Sequence, residues 1–103
     1  MDKKEKVISA VKKHITKVDP FLKIILYDSR AGNDAKKDSD WDFLILTNSI
    51  VTRDLKTQIS DELFEAELET DEVLSGIIQN KKIWDEYSNT PIYKNILQDG
   101  IEV

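Results

Sequence analysis

An α+β domain is predicted, with a small mixed β-sheet flanked by helices. Two segments repeat apolar residues at helical spacing, and three short runs are rich in β-branched and aromatic residues. Proline, glycine or hydroxyl side chains punctuate the boundaries between them. With 103 residues, 40% of them apolar, the chain suffices for one core and not two, so residues 1–103 read as a single domain.

Val7, Ile8, Val11, Ile15 and Val18 form the first helical stripe, which stops at Asp19-Pro20 because the residue before a proline is disfavoured in the helical region. "FLKIILY", Phe21 to Tyr27, reads as a buried strand, and a polar loop follows. "WDFLILT", Trp41 to Thr47, reads as a second strand. Leu55, Ile59, Leu63 and Ala66 mark the inner stripe of a helix that starts near Thr52. "EVLSGII", Glu72 to Ile78, is the third predicted strand, in which Gly76 suggests a bulge or a close backbone approach. Thr90-Pro91 predicts the start of a last helix, with Gly100 as the left-handed residue past its end.

The chain carries 20 acidic and 15 basic residues, a net charge of −5 that repels polyanions and argues against long nucleic acid as a partner. The lysine pairs beginning at Lys3, Lys12, Lys36 and Lys81 are dispersed, as on solvated helix faces, and only Lys36 and Lys37 lie in the polar loop. Without cysteine there is no disulfide framework, thiolate metal site or cysteine nucleophile. No apolar stretch has membrane-spanning length, and the start "MDKKEKVISAVKKH" is charged where a signal peptide is hydrophobic, so the expectation is a cytoplasmic protein with no membrane partner.

The segment that carries chemistry is "YDSRAGNDAKKDSDWDFLIL", Tyr27 to Leu46. Alternation along a strand sends Asp40 and Asp42 to one side and Trp41 and Phe43 to the other. Two neighbouring carboxylates repel unless a cation lies between them. Magnesium suits such a pair, because it takes hard oxygen ligands, commonly one or two carboxylates completed by phosphate oxygens and water. A solvated strand entry would also account for an Asp-x-Asp pair.

In order and spacing this segment resembles the signature of the minimal nucleotidyltransferases of the DNA polymerase β superfamily: a serine, a short polar loop, then Asp-x-Asp entering a hydrophobic strand. Ser29 matches the motif serine, Arg30 and Ala31 its followers, Asp34 the loop acid, and Asp40 and Asp42 the metal-binding pair. Chain length and the closing "IYKNILQDGIEV" also look like small members of the family. The resemblance implies a nucleotidyltransferase fold in which Asp40 and Asp42 bind Mg2+ with a nucleoside triphosphate, ATP. Ser29 and Arg30 would hold the nucleotide phosphates, and AMP would move onto a hydroxyl of a protein or small molecule. A third carboxylate on the next strand, Asp71 with Glu69 as the alternative, would complete the metal and catalytic set. Small relatives commonly work beside a helical protein of the HEPN type, as the antitoxin of a toxin–antitoxin pair, and the resemblance carries that partner here.

Three positions depart from the pattern. Asp28 stands where the motif has glycine, Asn33 replaces a second glycine, and Gly32 stands where a basic residue is usual. Asn33 is the mildest change, since asparagine tolerates left-handed backbone. Asp28 adds bulk and charge: two like unit charges about 5 Å apart repel by roughly 3 kcal/mol at an effective dielectric of about 20. A catalytically degenerate domain that binds nucleotide or a partner without transfer is therefore the alternative, and a plain interaction module the third reading. His14 reads as structural, and Trp84, Tyr87 and Tyr93 as core and rim packing.

Overall fold

A computed structural model describes residues 2–27 and 40–103. Among them the order is α1 (Lys3–Ile15), β1 (Lys23–Tyr27), β2 (Trp41–Thr47), α2 (Arg53–Thr70), β3 (Leu74–Asn80), α3 (Lys81–Asp85), α4 (Pro91–Asp99) and β4 (Ile101–Glu102). The sheet runs β3-β2-β1-β4, with β2 and β3 parallel and the other two pairings antiparallel. Because parallel neighbours need a long crossover, α2 spans the gap between β2 and β3. The fold is thus α+β, with a four-stranded mixed sheet among the described residues.

Helix starts follow side-chain chemistry. Asp2, Thr52, Asn80 and Thr90 each accept a hydrogen bond from an unpaired backbone amide of the first turn, as N-caps do. Pro91 occupies the first turn of α4, where no partner for its nitrogen is required. α1 closes at Ile15, and residues 16–18 form a turn in which Thr16 Oγ1 donates to the Lys12 carbonyl at 2.6 Å. The strand expected from Phe21 begins at Lys23, since Asp19 Oδ1 accepts the Phe21 amide and holds a turn there.

β2 is covered on both faces. Trp41, Phe43 and Ile45 join Val7, Ala10, Val11 and Ile15 of α1, Ile59, Leu63 and Ala66 of α2, and Ile24 and Leu26 of β1 in the larger core. Leu44 and Leu46 pack on the opposite face with Trp84 of α3 and Ile96 of α4, in the smaller one. Trp84 and Tyr93 stack at 5.2 Å between ring centroids, and both lie in this second layer.

Three expectations need correction. β3 starts at Leu74 rather than Glu72, since α2 continues to Thr70 and turns out through a left-handed residue. That residue is Asp71, with φ 57°. Gly100 is instead extended, with φ −75° and ψ 146°, because the chain passes straight into β4. Its need for glycine is steric: a Cβ there would lie 2.4 Å from the Ile96 carbonyl oxygen and 2.7 Å from Ile25 Cγ2. Gly76 lies within a regular ladder and admits Leu63 of α2, whose Cδ2 would be 3.0 Å from an added Cβ. α3 and β4 carry too few residues to show a period, and neither was expected.

Gly100→Ala is expected to destabilise the fold by about 1–3 kcal/mol, the usual range for forced overpacking, read from the urea midpoint. Leu97→Ala, nearby but 68% exposed, should change it by less than about 0.5 kcal/mol.

Candidate functional site

Asp42 is the second residue of β2 and the one position of that strand that is not fully buried. Its register partners are Tyr27 on β1 and Ser75 on β3. Directly opposed residues share a face, so Tyr27, Asp42 and Ser75 make one cross-strand row, each half-buried, on the α3/α4 side of the sheet. The next row inward is Ile25, Leu44 and Ile77, which is apolar and packs against Trp84 and Ile96. The row containing Asp42 is therefore the polar margin of the second core.

Asp40 directly precedes β2 and is exposed. Between the two aspartates, Trp41 is buried on the α1/α2 side, and its amide donates to the Val73 carbonyl at 2.9 Å. The tryptophan anchors the strand entry from below. Asp42 thereby lies on the face opposite the larger core, as alternation requires.

Asp28, Ser29, Arg30, Gly32, Asn33, Asp34, Lys36 and Lys37 lie outside the described residues. The third-carboxylate candidates fall inside them, and neither is on a strand. Asp71 is the exposed C-cap of α2, its amide donating to the Glu67 carbonyl at 2.8 Å, and it stands three residues before β3 at the end of the sheet where Asp40 lies. Glu69 belongs to the last turns of α2 and faces α1, where it meets Lys13 Nζ and lies 3.2 Å from His14 Nε2. The expectation that the third carboxylate, Asp71 or Glu69, stands on the next strand fails because α2 extends to Thr70. Among the described residues, no group of three or more His, Asp or Glu side chains is gathered as a cation site.

Glu67 and Ser75 are the residues that inspection of the sequence misses. Glu67 Oε1 accepts the Leu74 amide at 2.8 Å and fixes the start of β3 beside Trp41. Ser75 stands beside Asp42 through register alone, and no local sequence signal marks it. Glu72 is paired to Lys3 at 3.1 Å.

His14 is buried between α1 and α2 with Nδ1 3.2 Å from Glu62 and Nε2 3.2 Å from Glu69. A neutral imidazole carries one N–H, so both contacts are hydrogen bonds only in the doubly protonated ring. The Lys13 ammonium first, and the His14 hydrogen bond second, hold the Glu69 carboxyl below its ordinary value of 4.5.

No helix among the described residues is long and apolar enough to cross a membrane. No protein-family model matches the chain, and no curated protein matches it.

Because Glu69 is more acidic folded than unfolded, its ionised form favours the fold. That contribution is complete above pH 4.5 and disappears as the pH falls through the lower folded value. Stability by urea denaturation should therefore fall on acidification below this point. Glu69→Gln should be less stable at neutral pH and show a shallower fall. At the helix end, Asp71→Gly should stabilise by up to about 1 kcal/mol by relieving the left-handed backbone.

Proposed function

We propose that the chain is a magnesium-dependent nucleotidyltransferase of the nucleotidyltransferase fold, acting in the cytoplasm. In this reading it moves AMP from ATP onto a hydroxyl of a protein or small molecule. One observation carries the proposal: an Asp-Trp-Asp entry to the central strand. Trp41 is buried on one face of the sheet, and Asp42, the second residue of the strand, lies half-buried on the opposite face.

The donor set is made of carboxylate and hydroxyl oxygens, the hard ligands that magnesium takes. Asp40 and Asp42 would hold the ion, with Asp71 as the third carboxylate. When bound, the metal supplies neutralisation of phosphate charge in the transition state. Ser29 and Arg30 orient the phosphates. The acceptor oxygen bonds to the α-phosphorus as the bond to pyrophosphate breaks, and the hydroxyl proton passes to a carboxylate base, the role proposed for Asp71.

A domain of this size leaves the acceptor to be presented by another molecule. The resemblance to small nucleotidyltransferases favours a helical protein of the HEPN type, modified by this chain as antitoxin to toxin. Asp28 in place of the motif glycine favours a second reading, in which the domain binds nucleotide or partner without transfer.

Calorimetric titration of ATP should show binding that requires magnesium and is lost in the Asp40→Asn, Asp42→Asn double variant. Equal affinity in that variant would overturn the proposal. If the Asp28 carboxylate faces the phosphates, Asp28→Gly should tighten ATP binding by about tenfold to a hundredfold, by removing about 1–3 kcal/mol of repulsion.

A further inference from the structure

We infer that β3 is a self-association edge: two copies of this chain pair their β3 strands antiparallel about a two-fold axis at Ile77, joining their sheets into one. The inference is independent of the nucleotide-binding reading.

β3 is the outermost strand of the sheet and pairs only with β2 among the described residues. Successive residues of a strand direct their backbone groups to opposite edges. The Val73 carbonyl takes the Trp41 amide, so Ser75, Ile77 and Gln79 bond inward to β2, and Gly76 and Ile78 turn their amides and carbonyls outward. Leu74 also faces outward, and its amide is taken by Glu67. The outward groups of Gly76 and Ile78 meet no partner among the described residues. Such edges are commonly guarded by lysine, proline or a bulge. β3 has seven residues, none charged and none proline, in unbroken register with β2.

The flanks of the strand select a second copy as the occupant. Asp71 and Glu72 precede it, with Glu72 also held by Lys3, and Lys81 and Lys82 follow it. Antiparallel self-pairing therefore sets acid against base at both ends, whereas parallel pairing would set like against like. An axis at Ile77 places Gly76 opposite Ile78 of the second copy, so that the outward groups of both residues bond. Lys82 then stands opposite Glu72. Gly76, exposed and without a side chain, leaves room for that isoleucine. α2 adds an apolar flank: Leu63 packs on Gly76 and Glu67 reaches Leu74, and the next position round the helix on that side is Phe64, with Leu68 one turn on. They are 55% and 64% exposed.

Sedimentation equilibrium and amide hydrogen exchange on the full chain test this. The wild type should be a dimer whose Gly76 and Ile78 amides are protected. Dilution to the monomer should release these two while Ser75 and Ile77, bonded to β2, stay protected. Phe64→Glu should weaken the dimer by about tenfold or more. Lys82→Glu should weaken it less, by an amount that shrinks with added salt. A wild type that is monomeric at every concentration would overturn the inference. So would a dimer whose Gly76 and Ile78 amides exchange as fast as in the monomer, since its contact would lie elsewhere.

Discussion

The fold depends on burying β2 on both of its faces. Trp41, Phe43 and Ile45 enter one core while Leu44 and Leu46 enter the other, so this strand is the element that makes the two helical layers belong to one domain. A strand buried on both faces reads as a near-continuous apolar run, which "WDFLILT" is apart from its aspartate. A carboxylate farther along it would be desolvated without a partner. At the strand's head, Asp42 stays half-buried and within reach of solvent.

The same layering separates stability from chemistry. The His14, Glu62, Glu69 and Lys13 cluster joins α1 to α2, whereas the Tyr27, Asp42 and Ser75 row lies on the far side of the sheet. Charges that hold the helices together are thus kept apart from the carboxylates proposed to hold a cation. The connection between the two sides is the start of β3. There Glu67 takes the Leu74 amide, and the Val73 carbonyl takes that of Trp41.

Much of the fold was legible in local chemistry. The bounds of β2, the start of α2 near Thr52, the stripe of Ile59, Leu63 and Ala66, and the start of α4 at Thr90-Pro91 follow from periodicity and capping. The end of α2 was not legible. "ELETDEV" has no glycine or proline to stop a helix, so the exit falls to Asp71 in a left-handed conformation that its sequence neighbourhood does not advertise. With α2 running to Thr70, Glu69 lies in the helix and Asp71 at its cap, so neither is on the strand.

The sequence by itself determined the class of the domain, its central strand and the position of the Asp40–Asp42 pair, because these depend on interactions between residues close together in the chain. Only the tertiary structure decided which residues stand beside Asp42. Register across three strands depends on packing the whole sheet between two helical layers, and that packing sets Tyr27 and Ser75 beside Asp42 while turning Glu69 toward α1. Gly100 follows the same rule: its local setting at a helix end suggested a backbone need, whereas the approach of Ile25 and the Ile96 carbonyl made the constraint one of space.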